Sequence, residues 1–139
     1  MIRAATEEDL EWVRELWRLW MEEFAPPFID QIVALNAQCD LFRRIVGGEQ
    51  RGVALVIPED ALSFWAGNGD VVHDFGLYVA PWARKQGKAA SLMDATLTEA
   101  RKAGYRRMLA SPYVSNEFVV DWLGRQGWEP VQLVMSKEI

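Results

Sequence analysis

Cysteine and histidine are nearly absent from this chain of 139 residues, which contains one of each. A single cysteine excludes an internal disulfide, and one cysteine with one histidine cannot build a typical structural zinc site, so we expect no metal. Cys39 is expected to be a small buried hydrophobe. A lone thiol is typical of a reducing compartment, which favours a cytoplasmic protein.

Long apolar runs are also missing. No run approaches the roughly 18 residues that span a bilayer, and the acidic first nine residues do not resemble a signal peptide, so no membrane partner is expected. Half of the residues are apolar and a quarter are charged, which is typical of a globular domain. A chain of this length predicts one domain, residues 1–139.

A positive charge over the whole domain is missing too, because the net charge is −5. Residues 1–74 are acidic, whereas residues 75–116 hold 7 Lys or Arg against 2 Asp or Glu. Nucleic-acid binding needs a broad positive field and is not expected. A basic centre in an acidic chain favours one compact polyanionic ligand, although Arg101 and Lys102 are also explained as the favourable C-terminal charges of a helix.

Hydrophobic periodicity predicts an α+β domain with the order β-α-α-β-β-β-α-β-α-β, in which the middle strands form an antiparallel meander. The first helix is expected to begin at Thr6, whose spacing from Asp9 is that of an acidic capping box. The predicted strands cover residues 2–5, 53–57, 61–66, 71–79, 107–112 and 131–137. The predicted helices cover residues 6–25, 28–46, 89–103 and 116–126.

The most specific stretch is Leu77-Tyr-Val-Ala-Pro-Trp-Ala-Arg-Lys-Gln-Gly-Lys-Ala89, which predicts an apolar strand, a turn and a basic loop that opens into a helix. The first N–H groups of a helix have no intrahelical partner, and Gly87 lets the main chain approach a ligand closely. Arg84, Lys85 and Lys88 add positive charge. Together these features predict a phosphate site.

Arg84, Gly87 and Ala89 resemble the acyl-CoA signature R/Q-x-x-G-x-G/A of the GNAT superfamily of N-acetyltransferases. Asn116, followed eleven residues later by Gly127-Trp128, is similar to the late segment of that family. The resemblance implies a GNAT-like fold with a central mixed, mostly antiparallel sheet flanked by helices. It also implies that acetyl-CoA is the co-substrate and that a bound amine attacks its thioester directly.

The resemblance implies a set of cofactor contacts. Main-chain groups of Leu77 and Val79 are assigned to the pantetheine arm of the cofactor. Asn116 is assigned either to that arm or to the N-cap of the late helix, for which Asn is among the best residues. The loop assigned to the pyrophosphate consists of Arg84, Lys85, Gln86, Gly87, Lys88 and Ala89.

Acyl transfer to an amine needs a proton acceptor. His73 and Asp74 precede the end of the predicted strand, where members of the family often place a Glu. Because successive strand residues face opposite sides, at most one of the two points into the cleft. Acids on the first two helices, and water, are the alternatives.

A proton donor for the departing thiolate is harder to find. Seven residues after Asn116 the family often has a Tyr with that role, but this chain has Leu123, which cannot donate a proton. Tyr113 and Tyr78 are the candidates to replace it, although either is also explained as a packed aromatic residue.

The acceptor side of the family is built from the first two helices and their connection, here including Trp17, Trp20, Glu23 and Phe28. Acids beside aromatic rings attract a cation with an apolar body, so we expect a small-molecule or peptide amine such as a polyamine, an amino-sugar or a basic peptide end. The alternative is that the aromatics are core and the acids are solvated.

Two other functions fit the same residues. The missing Tyr is consistent with a non-catalytic acyl-CoA-binding or regulatory module. Seven tryptophans are consistent with a general interaction protein that has no affinity for CoA. The acceptor, the acyl chain length and the oligomeric state stay open, with a homodimer among the alternatives.

Overall fold

The computed structural model describes residues 1–113 and 115–139. Short 3-10 turns at Glu7–Asp9 and Pro81–Ala83 precede α1 and follow β4. The strands are β1 (Arg3–Ala4), β2 (Gly52–Ile57), β3 (Ala61–Asn68), β4 (Val71–Val79) and β5 (Arg107–Leu109). The helices are α1 (Leu10–Phe24), α2 (Gln31–Val46), α3 (Lys88–Lys102) and α4 (Glu117–Arg125).

The strands form one mixed sheet in the order β1-β2-β3-β4-β5, as the α+β prediction required. The first four strands are antiparallel, and β5 is parallel to β4 after the crossover through α3. β5 pairs only with residues 71–73 of β4. From Asp74 to Val79, β4 therefore runs on without β5 beside it, and the sheet opens at that end.

Helices cover both faces of the sheet. α1 and α2 pack on one face, where Trp17, Phe42 and Phe64 are fully buried and the Trp17 and Phe42 rings meet edge to face with centroids 5.8 Å apart. α3 and α4 pack on the other face around Trp65 and Leu92. Aromatic pairs of this kind contribute about 0.5–1.5 kcal/mol beyond their buried area, so the Trp17–Phe42 contact helps to hold α1 and α2 on the sheet.

The capping box before α1 is confirmed, because the backbone N–H of Thr6 donates to Asp9 at 2.8 Å. Arg3 on β1 donates to both oxygens of Asp9 at 2.8 Å. Asp30 caps α2 by accepting from the N–H of Val33, which moves the start of that helix from residue 28 to Gln31. These contacts fix both helices that face the open end of the sheet.

The predicted last strand is wrong. Residues 129–139 form neither helix nor strand, and their side chains are exposed, including Val131, Leu133 and Met135. An alternating apolar pattern makes a strand only where a partner edge exists, and the neighbouring β5 offers three residues instead of the six expected from 107–112. Among the residues that the structure describes, no helix combines the length and the apolar character that crossing a bilayer requires.

Candidate active site

A β-bulge in β4 determines which residues face the open end of the sheet. Asp74 pairs with Trp65, but the next residue of β3, Phe64, pairs with Gly76, so Phe75 is an extra residue. Cross-strand partners share a face, so Asp74 lies on the α3 side with Trp65 whereas Gly76 lies on the α1 side with Phe64. The bulge thus puts Asp74 on the same face as Leu77.

Beside the bulge lies a small cavity of about 30 Å³. Its wall includes Asp74, Gly76 and Leu77 of β4 and Trp20 of α1. Residues 110–113, which follow β5, and the side chains of Asn116, Val119 and Leu123 close it from the opposite side. The cavity therefore occupies the gap that opens where β5 ends, with room for a group about the size of an ammonium ion.

Asp74 is the titratable side chain most strongly affected by this environment. Burial raises its pKa to about 6 from 3.8, although a hydrogen bond from the N–H of Gly76 at 2.7 Å partly opposes the rise. A carboxyl with a pKa near neutral pH exchanges protons readily under physiological conditions. Of the two candidate acceptors, Asp74 is the one that lines the cavity.

The other predicted catalytic residues lie in different places. His73 pairs with Leu109 and Ala66 and, by strand alternation, faces the side opposite to Asp74. Tyr113 lines the cavity, and its ring lies 5.4 Å from that of Trp20. Leu123 lines it too, at the place where the family often has a Tyr. Tyr113 is therefore a hydroxyl-bearing residue that shares the cavity wall with Leu123.

The loop before α3 has the backbone shape expected of an anion site. Gly87 is the N-cap of α3 with φ +73° and has no side-chain cap hydrogen bond. Nothing lies within 4 Å of the position that a Cβ on Gly87 would occupy. Lys85 also has a positive φ, of 64°. The N-terminus of α3 therefore opens onto free space lined by backbone, which fits a diphosphate.

Two of the loop's cations are paired with acids from elsewhere in the chain. Lys88 Nζ lies 2.7 Å from Asp60 Oδ2, in the turn between β2 and β3. Arg84 Nη2 lies 2.7 Å from Glu23 Oε1, at the end of α1. The Lys88 ammonium lowers the pKa of Asp60. Burial alone would raise the pKa of Glu23, but hydrogen bonds from Arg84 and Tyr78 outweigh it and keep that pKa below its usual value.

The late segment is built as its pattern indicated. The Asn116 side chain accepts from the N–H of Val119, so Asn116 is the N-cap of α4, and it also lines the cavity. Gly127 has φ +89° and ends the helix, which lets Trp128 turn back to within 6.2 Å of the Trp65 ring. The two interpretations of Asn116 are therefore compatible.

The predicted acceptor residues separate into four environments. Trp20 lines the cavity. Glu23 lies at the end of α1, paired with Arg84. Trp17 is fully buried in the core, and Phe28 is 70% exposed in the connection to α2.

Some features of the site had no signal in our reading of the sequence. Asp60 was not expected to pair with Lys88, and Ser115 was not expected to donate to the Phe24 carbonyl, which it does at 2.9 Å. Gly76 inside a strand was a usable signal, because an isolated strand glycine often marks a bulge. Among residues 1–113 and 115–139, no group of three or more His, Cys, Asp or Glu is placed to hold a metal ion.

Comparison with known proteins places the chain in a family. The sequence model of the "Acetyltransferase (GNAT) family" matches residues 8–128. No curated protein sequence matches the chain.

Solved structures share the fold at low identity. The aminoglycoside N-acetyltransferase AAC(6')-Iy, solved with a CoA bisubstrate analogue, has a TM-score of 0.68 and 18% identity over 100% of this chain and 97% of its own. A tetramutant of the BH1408 protein from Bacillus halodurans has a TM-score of 0.73 and 18% identity, over 100% of this chain and 99% of its own. A ribosomal-protein-alanine N-acetyltransferase from Brucella melitensis has a TM-score of 0.71 and 22% identity, over 93% of this chain and 84% of its own. With its family model covering most of the sequence, the chain belongs to the GNAT acetyltransferase family.

Proposed function

We propose that this N-acetyltransferase moves the acetyl group of acetyl-CoA to a cationic amine, with Asp74 as the proton acceptor. The observation that carries the proposal is the position of Asp74, which the bulge turns into the cavity where its pKa rises to about 6. Structures in the same fold contain CoA or a CoA analogue, which supports acetyl-CoA as the co-substrate.

The residues present fit both ends of the co-substrate. The open N-terminus of α3 and the free space at Gly87 suit the diphosphate, with Lys85 adding charge. Residues 74–79 of β4 have no β5 neighbour, so this edge of the strand can offer main-chain groups to the amides of the pantetheine arm, as the assignment of Leu77 and Val79 requires. The Val79 carbonyl accepts from Arg84 Nε at 3.1 Å, so the arm would replace that contact there. The bound thioester supplies the acyl group at the cavity.

The proposed chemistry starts with a proton transfer from the acceptor's ammonium group to the Asp74 carboxylate. The nitrogen lone pair then forms the C–N bond to the acyl carbon, and the C–S bond breaks. The nitrogen loses its second proton as the amide forms and the departing thiolate takes up one proton, so the products are the N-acetyl amide and CoA thiol, with the first proton left on Asp74. The raised pKa of Asp74 helps the first step, because each pKa unit of mismatch between donor and acceptor costs about 1.4 kcal/mol. Tyr113, on the cavity wall, is the proposed proton donor to the sulfur.

The pKa of Asp74 also favours some acceptors over others. A lysine-like amine, with a pKa near 10.4, lies about 4 units above Asp74, whereas an α-amino group, with a pKa near 8, lies only about 2 units above it. We therefore propose an acceptor with a weakly basic amine, such as a peptide N-terminus, an amino-sugar or a polyamine, in which neighbouring positive charges lower the pKa of an amine. The Trp20 and Tyr113 rings would contact its apolar body, and Asp74 would attract the ammonium group.

Release of CoA thiol from acetyl-CoA, measured over a panel of amines, tests the proposal. We expect turnover with at least one cationic amine, and we expect Asp74→Asn to lower kcat by about 10²- to 10⁴-fold while acetyl-CoA still binds. His73→Asn is the matched control, since His73 is the adjacent residue and faces away. Equal losses in the two variants would contradict the role of Asp74. CoA binding without any turnover would favour a regulatory module instead.

A further inference from the structure

Glu23 lies where its own helix does not stabilise a negative charge. It is the last residue but one of α1, and the last turn of α1 contains no basic residue. The C-terminal end of a helix dipole disfavours an acid. The neighbouring Glu22 pairs with Arg18 on the same helix, so it has a local partner. Glu23 depends on residues far away in the sequence.

Two donors meet at one oxygen of Glu23. Arg84 Nη2 lies 2.7 Å from Glu23 Oε1, and the Tyr78 hydroxyl donates to the same oxygen. Arg84 Nε donates to the Val79 carbonyl at 3.1 Å, and its guanidinium lies 5.3 Å from the centre of the Tyr78 ring. The first cation of the anion-binding loop is therefore bound to an acid of the acceptor side.

Glu23 is also close to the cavity. Trp20, three residues earlier, lies on the same side of α1 and lines the cavity. The Ser115 hydroxyl donates to the Phe24 carbonyl at 2.9 Å and so holds the end of α1 against the segment before α4. Glu23 therefore follows the cavity-lining Trp20 by about one helical turn of α1.

Building on the proposed function, we propose that Arg84 couples the two substrate sites by exchanging partners. The diphosphate of acetyl-CoA binds the guanidinium of Arg84 in place of Glu23, and the released Glu23 carboxylate then binds a positive group of the acceptor. A diphosphate carries more charge than one carboxylate and accepts two parallel guanidinium bonds, so it is the stronger partner. Each substrate then tightens the binding of the other by the same factor, because coupling between binding sites is reciprocal.

Calorimetric titration with CoA and with spermidine, each alone and with the other at saturation, tests the coupling. In the wild-type protein we expect CoA to tighten spermidine binding about fivefold or more, and the reverse. Glu23→Gln should bind CoA about three- to tenfold more tightly, because nothing competes for Arg84, and its coupling should vanish. Glu22→Gln, which loses the same charge one residue away, should keep the wild-type values.

Arg84→Gln is the second variant, for use if Glu23→Gln does not fold, and it should lose the coupling as well. The proposal is overturned if Glu23→Gln binds CoA no more tightly than the wild type, or if spermidine binds equally with and without CoA. Failure of the proposed function gives a different result. In that case the wild-type protein would not bind CoA, or would show the coupling and transfer no acetyl group to any amine.

Discussion

Replacing Asp74 by Asn should stabilise the protein at alkaline pH. The asparagine oxygen still accepts from the N–H of Gly76, so the change removes a charge and keeps the hydrogen bond. The pKa of Asp74 rises from 3.8 to about 6 on folding, so the folded protein binds more protons than the unfolded chain between those values. Stability is therefore lost as the pH rises through 4 to 6, by about 3 kcal/mol in total.

The expected result is a variant that unfolds about 10 °C higher than the wild type at pH 8 and within about 2 °C of it at pH 4. Thermal unfolding followed by circular dichroism at the two pH values measures this difference. Asp94→Asn, on the exposed side of α3, is the control and should change the free energy of unfolding by less than about 0.5 kcal/mol at both. Equal stabilisation of Asp74→Asn at pH 4 and pH 8 would refute the reasoning, because it would show that packing rather than charge is responsible.

Three further changes test the loop, the proton donor and the first cap. Gly87→Ala should lower the free energy of unfolding by about 1–2 kcal/mol, because φ at Gly87 is +73°. Gly87→Trp should also abolish the rise in unfolding temperature that acetyl-CoA causes. An equal rise in the wild type and in Gly87→Trp would show that the loop is not part of the site. Tyr113→Phe should lower kcat about 10²-fold or more with an unchanged unfolding temperature. An unchanged kcat would indicate that water, and not Tyr113, donates the proton to the departing thiolate. Arg3→Ala should lower the free energy of unfolding, measured in urea at pH 7, by about 1–2 kcal/mol, because hydrogen bonds from Arg3 lower the pKa of Asp9 to about 2. That stabilisation exists above about pH 4 and is lost as the pH falls through 2, so a difference persisting at pH 2 would contradict the pairing.

Local patterns predicted most of the fold because the forces involved are local. β4 begins and ends at the predicted residues, since Gly69 and Asp70 form a turn before it and Pro81 ends it. α3 starts within one residue of the prediction because Gly87 adopts the left-handed backbone that a helix start after a tight loop requires. The same two segments contain the loop proposed to bind the diphosphate, so a short motif predicted the local backbone of that loop.

Contacts between distant segments were not predictable in this way. Arg84 and Glu23 are 61 residues apart, and neither residue type indicates the other as its partner. The predicted strand at residues 131–137 failed for the same reason, since it depended on an edge that β5 does not provide. Trp17 illustrates the difference on the acceptor side: its helical spacing predicted an apolar stripe correctly, but only the packing shows that it is fully buried while Trp20 lines the cavity.

The bulge at Phe75 links the core to the proposed chemistry. Without the extra residue, regular alternation would put Asp74 on the same face as Gly76 and Tyr78, towards α1 and away from Leu77 and the α3 side of the sheet. Gly76 permits the bulge, because its φ is +147° and a Cβ there would lie 2.9 Å from Trp17 Nε1. One inserted residue therefore turns Asp74 towards the cavity while leaving Tyr78 directed at Glu23, so the proposed proton acceptor and the proposed contact between the two substrate sites depend on the same break in a single strand.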